Sequence, residues 1–286
     1  MKKMLTLAAI AMPIFALQTE TIHSSVSSYY EAKNYQNSLQ KKSANVYGFG
    51  ADIHLTHHQF KGVYEYTHAA TKQPPLTKDL YNQKIFLRYG YHINNSTNIA
   101  LKYIHIIKDN IAITSGGYSL GAEVSYTPLL HLQLHATQYK TFYDAFDVYQ
   151  SDIRLDYATK FYGIHTTLSS INKYITLHDT IPNSFTKNAH KEYFTSGIKL
   201  HLHYKGYHFG GGAYFGKRAF AIMNDGFKIQ HHAMEIHTNY ALGIGKSFLK
   251  RYIVRVQYIY SNAKELPMEH NDVSVKNIRF LLNYKI

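Results

Sequence analysis

The chain has no cysteine, which removes disulfide frameworks, thiolate nucleophiles and cysteine-based zinc sites from consideration. It also lacks tryptophan, against 27 tyrosines and 15 phenylalanines. Its aromatic surface therefore comes mainly from a ring with a wet end, suited to a wall that meets a membrane–water interface. Beyond the N-terminal head there is no apolar run near the ~20 residues that a membrane-spanning helix requires. If the chain enters a bilayer, it does so as strands. No stretch rich in Pro, Gly or Ser divides the 286 residues into two compositional halves, so one domain is expected. No nucleic-acid motif accompanies the formal charge of +13. Gly210-Gly211-Gly212 sits inside a strand pattern with no helix after it, which excludes a phosphate loop. Local spacing picks out no Ser/His/Asn or paired-carboxylate arrangement, so neither an enzyme activity nor a cofactor is expected.

What the sequence has in abundance is alternation. The hydrophobic fraction is 45% while mean hydropathy is −0.30, so apolar residues are interleaved with polar ones and not gathered into blocks. In the last nine residues Ile278, Phe280, Leu282, Tyr284 and Ile286 share one face of a strand, and Arg279, Asn283 and Lys285 share the other. Only Leu281 breaks the polar face. The same period recurs from Tyr47 to Leu55, Ile85 to Ile93, Tyr118 to Tyr126 and repeatedly to Tyr260. Weaker members sit at 24–36, 62–68 and 99–107, the last ambiguous because Ile104 and Ile106 fall on the polar face. The sum is about 14 strands, within a range of about 12 to 16. Joins alternate between short ones, such as 57–59, 94–96, 127–128 and 205–206, and longer polar ones, such as 37–44, 69–81, 140–147, 173–191 and 216–227.

The charged residues of these strands fall on the face opposite the apolar set. In a membrane barrel that face must be the lumen, because Lys or Arg on the lipid side costs ~2 to 4 kcal/mol at the bilayer midplane. The fold class is thus all-β, a transmembrane antiparallel β-barrel with a hydrated lumen and both ends on the periplasmic side. Candidate pore-lining residues are Lys84, Arg88, His92, His131, His135, Arg154, Lys199, His201, His203, His208, Arg255 and Arg279. Bases outnumber acids among lumenal groups, which predicts a modest preference for anions. The 19 histidines, many on the lumenal face, would add positive charge in mild acid. If Lys205-Gly206 forms a two-residue turn, His203 faces His208 beside His201, but no carboxylate completes a metal site there and none is assigned. Any constriction must come from lumenal side chains or an infolded loop, with 173–191 the longest candidate.

Residues 1–16 carry a positive head, Met1-Lys2-Lys3, an apolar run of about a dozen residues and a small residue at Ala16, the pattern of a secretory signal peptide. The barrel then occupies 17–286. A terminal strand with Phe280, Leu282, Tyr284 and Ile286 on one face resembles the closing strand of bacterial outer-membrane β-barrels, although Ile286 stands where Phe is usual. Together with the strands and the joins, it makes the whole mature chain similar to bacterial porins and porin-like outer-membrane proteins. The resemblance implies location in the outer membrane and passive diffusion of small hydrophilic solutes. It also implies recognition of the closing strand by the barrel-assembly machinery. Implied partners are outer-membrane lipid and lipopolysaccharide, small polar solutes or anions, and further copies of the chain in a homo-oligomer. The alternative is a structural or adhesive barrel without an open pore.

Overall fold

The computed structural model describes residues 22–286; the expected signal segment lies outside the described residues. Fourteen antiparallel strands close on themselves: β1 (His23–Gln36), β2 (Lys41–His54), β3 (His58–Thr71), β4 (Leu80–His92), β5 (Thr97–Asp109), β6 (Tyr118–Leu129), β7 (Leu132–Phe142), β8 (Phe146–Phe161), β9 (Ile164–Asp179), β10 (Glu192–Tyr204), β11 (Tyr207–Arg218), β14 (Met234–Phe248), β15 (Tyr252–Glu265) and β16 (His270–Lys285). Two further strands, β12 (Ile222–Met223) and β13 (Lys228–Ile229), pair only with each other. Closure joins β1 to β16, with the Ile286 N–H donating to the Ser24 carbonyl at 2.9 Å. Because the ring has no edge, every strand's backbone groups can be satisfied by neighbours, the condition for strands in lipid. No helix among the described residues is long and apolar enough to cross a membrane.

Alternation decides the two faces. Leu87, Leu101, Leu120, Ile153, Ile198, Leu242, Val254 and Phe280 point outward and are exposed, which gives the outer wall an aliphatic belt. Aromatic rings flank that belt on both sides. On one rim Tyr30, Tyr47 and Tyr66 form a row, with Tyr118 beside Phe142 at 4.8 Å. On the other, Phe60 stacks near Tyr89 and Tyr252 near Tyr284 at 4.9 Å. Tyrosine does the work at both interfaces because its ring packs against the apolar belt while its hydroxyl stays wet.

The first and last strands and the tight turns 130–131, 162–163 and 205–206 share one end of the barrel. The opposite end carries the longer joins 72–79, 110–117, 180–191 and 219–233. The alternation of join lengths is less strict than the sequence suggests. Strands β1, β2, β7 and β8 run further than their apolar faces do, so the joins expected at 37–44 and 140–147 shrink to 37–40 and 143–145.

On the lumenal side three tyrosines lie flat over glycines of the adjacent strand. Tyr29 covers Gly48, Tyr139 covers Gly121 and Tyr214 covers Gly197, each pair being directly opposite in register. A Cβ on Gly197 would stand 2.4 Å from the Tyr214 ring, so only glycine admits this close approach.

Candidate functional site: the lumen and its infolded loop

The join between β11 and β14, residues 219–233, turns inward and fills the loop end of the lumen. Its turn is built on Asn224-Asp225-Gly226, all with positive φ (52°, 56° and 91°), residue types that accept left-handed backbone at little cost. On either side of it Phe220, Ala221, Ile222, Met223 and Ile229 are buried against wall residues Phe86, Ile104, Ile106, Phe146, Ile171 and Ile175. These wall residues point inward and yet are apolar. Ile104 and Ile106, on the wrong face for a hydrated lumen, are therefore the counter-surface of the loop. A lumen without an apolar core is thus the wrong picture for the loop end; the segment that fills it is chiefly 219–233, while 180–191, the part of 173–191 that connects β9 to β10, adds only the partly buried Phe185 and Ala189 to the same cluster.

Polar anchors fix the loop further. Gln150 Nε2 donates to the Ile222 carbonyl and the Ile222 N–H donates to Gln150 Oε1, both at 2.7 Å. Arg154 donates to the Asp225 carboxylate. Desolvation inside the barrel pushes the half-exposed Asp225 carboxyl up, but Arg154, Lys102 and Lys199 outweigh it and hold this group below the usual carboxylate range. A carboxylate depressed in this way contributes stability that is complete above the ordinary value near 4 and is lost only as pH falls through the lower folded value. The loop is accordingly expected to stay docked from about pH 7 to about pH 5. Limited proteolysis at the two pH values checks this, with equal protection of 219–233 as the expected result.

Most lumenal cations are neutralised. Lys84 sits 2.5 Å from Glu65, and Lys102 and Arg88 sit 2.7 and 3.3 Å from Glu123. Lys173 binds Asp152, Arg154 also binds Asp156, which His135 approaches to 3.1 Å, and Arg279 binds Glu31. Lys199, Arg218 and Arg255 have no carboxylate within ion-pair distance among the described residues. Arg218 is 1% exposed, lies over the Tyr214 ring at 5.3 Å, and leaves Nε and Nη1 without a hydrogen-bond partner.

Beside the loop a cavity of about 410 Å³ follows the inner face of β10, β11, β14, β15 and β16. Small inward residues make the room: Gly210 and Gly212 on β11, Ala241 and Gly243 on β14. Its cations are Lys199, Arg218, Lys228 and Arg279, its neutral polar groups include Gln230, Asn239, Gln257 and Asn277, and no carboxylate lines it. A Cβ on Gly210 would meet nothing closer than 3.9 Å. Gly210→Phe is therefore expected to leave the sheet intact and to narrow the cavity, lowering single-channel conductance by half or more; unchanged conductance would place the solute path elsewhere.

Of the residues singled out in the sequence, Lys199, His201 and Arg279 line this cavity, whereas Lys84, Arg88, His135 and Arg154 belong to the ion-pair network around it. Arg255 faces the lumen without a carboxylate. His92 lies exposed at the barrel rim, and His131 lies in the turn 130–131 and not on a strand. His203 does face His208, with rings stacked at 4.4 Å, and His201 and His165 stand at 5.8 and 6.1 Å from this pair. Lys228, Gln230 and Arg218 were not anticipated. The loop residues have no strand period to betray them, and Arg218 follows a register shift in β11.

No family model matches the chain, and no curated protein does. Solved structures do. The chain is similar to a bacterial polysaccharide outer membrane secretin, with TM-score 0.59 and 8% identity over 92% of this chain and 98% of the other. It is similar to the CymD monoaromatic hydrocarbon channel, with TM-score 0.54 and 8% identity over 92% and 88%. The Acinetobacter baumannii outer membrane protein Omp33 aligns with TM-score 0.51 and 8% identity over 93% and 99%. At these identities the likeness is one of fold: the chain is a closed barrel of the outer-membrane type.

Proposed function

We propose that the protein is an outer-membrane channel for passive diffusion of small hydrophilic solutes, with anions favoured. The observation that carries this reading is the cavity beside the infolded loop, lined by four cations and no carboxylate. Arg279 and Lys228 share Glu31 behind the lining, whereas Lys199 and Arg218 have no acidic partner among the described residues; a confined path with such unneutralised groups concentrates counter-ions, and low-dielectric walls strengthen the effect. The apolar belt between two tyrosine girdles supports residence in a bilayer, with the tight-turn end periplasmic and the longer joins outside. Phe280, Leu282 and Ile286, exposed at the C-terminal end of the closing strand, present an apolar face of the kind proposed to be read by the barrel-assembly machinery. The outer wall meets lipid and lipopolysaccharide, and further copies of the chain in a homo-oligomer.

Acid adds to the anion preference through the histidine stack at the tight-turn end. It acts on the path and leaves the loop, held by Asp225, in place.

Liposome swelling tests the proposal. Proteoliposomes should admit a small organic anion faster than a neutral sugar of equal size, and either faster than empty vesicles. The apolar packing at the loop end favours a second reading, a plugged structural or adhesive barrel, which predicts no swelling with either solute.

A further inference from the structure

We propose that Asp109, His231 and His232 form a binding site for a first-row divalent cation that fastens the infolded loop to the barrel wall. This inference does not depend on the channel reading. One ligand atom from each of the three residues lies within 4.8 Å of the others. His231 Nε2 is 3.0 Å and His232 Nε2 is 3.6 Å from the same oxygen, Asp109 Oδ2. Both nitrogens are buried, and despite these distances neither meets the angle of a well-formed hydrogen bond. Two buried imidazole nitrogens that converge on one carboxylate oxygen without good hydrogen-bond geometry form a ready-made set of ligands for a cation placed among them.

The surroundings orient each ligand. Asp109 is held by the Ile111 N–H at 3.0 Å and the Thr114 hydroxyl at 2.9 Å, so its carboxylate is fixed from behind. The Ile229 carbonyl stands 3.5 Å from His231 Nδ1. A proton on Nδ1 facing that carbonyl leaves the Nε2 lone pair directed at the carboxylate, an arrangement a cation resolves. Two imidazoles and one carboxylate suit zinc, cobalt, nickel or ferrous iron and are poor for calcium or magnesium, which prefer oxygen ligands. Three protein ligands leave a further position for water.

Placement gives the site its consequence. Asp109 ends β5, and the two histidines immediately precede β14, so a shared ion joins the loop to a strand on another part of the wall. One neighbour opposes it: Lys41 Nζ lies 2.8 Å from His232 Nδ1. Removing that ammonium should therefore strengthen cation binding. The histidine stack at the opposite end makes a contrast, since its rings lie face to face and no carboxylate joins them.

The test uses the full-length barrel, refolded in detergent and stripped with chelator, with zinc as the probe and cobalt(II) for spectroscopy. One zinc per chain, a higher unfolding temperature, a cobalt spectrum of nitrogen and oxygen ligation, and added protease resistance of 219–233 are expected. His231→Gln with His232→Gln should abolish all four, and Lys41→Met should tighten binding severalfold. Two results would overturn the site: no stoichiometric zinc in the wild-type and Lys41→Met proteins, or binding that survives the double substitution and disappears instead when His201, His203 and His208 are replaced. The Lys41→Met arm keeps the test decisive if the histidine variants fail to fold.

Discussion

Deleting residues 219–233 and joining β11 to β14 by a short turn is expected to raise single-channel conductance severalfold while the barrel still closes. Strands β11 and β14 are already paired from Tyr207 to Arg218, so the sheet does not need the loop to bring them together. What the loop contributes is occupancy: Phe220, Ala221 and Ile222 are essentially without solvent contact inside the lumen. Phe220→Asp is the milder version. A carboxylate forced into that apolar cluster costs several kcal/mol, and the loop can escape the cost by leaving the lumen. Both variants should shift conductance in the same direction, and both should sensitise 219–233 to protease. Unchanged conductance in both would mean that solute does not pass beside this loop.

The second large effect separates free cations from paired ones. Replacing Lys199 and Arg218 by Glu together is expected to turn anion preference into cation preference, since neither has an acidic partner among the described residues and both line the cavity. Lys173→Met should behave differently. Lys173 is buried against Asp152, and removing it leaves a carboxylate uncompensated, which costs about 3–5 kcal/mol. The expected result is a lower denaturation midpoint with little change in ion preference. If the Lys173 variant altered selectivity as much as the Lys199/Arg218 pair, the distinction between neutralised and free lumenal charge would fail.

Much of the wall was legible because side chains on a strand alternate with a period of two, and one face of every strand must be apolar in lipid. All fourteen barrel strands, the facing of His203 on His208, and the meeting of the start of β1 with the end of β16 at the tight-turn end follow from that rule and an even strand count. The lumen was only half legible. Lys84, Arg88, Arg154 and Arg279 could be assigned to the inner face, but not to Glu65, Glu123, Asp225 and Glu31, because partners in a barrel are fixed by register and by loops distant in sequence. Of the inward apolar residues that receive the infolded loop, Ile104 and Ile106 stood out in the sequence. They look like errors of pattern until Phe220 and Ile222 are placed against them. His231 and His232 did not stand out, since their partner Asp109 lies at the far end of another hairpin.

The proposed solute path runs through the lumen beside the loop, where the cavity holds Lys199 and Arg218 without acidic partners. The reversal potential of single channels in a planar bilayer under a potassium chloride gradient tests it most directly. Discrete open events with a potential on the chloride side of zero are predicted; an electrically silent barrel, or a potential on the potassium side, would contradict the account.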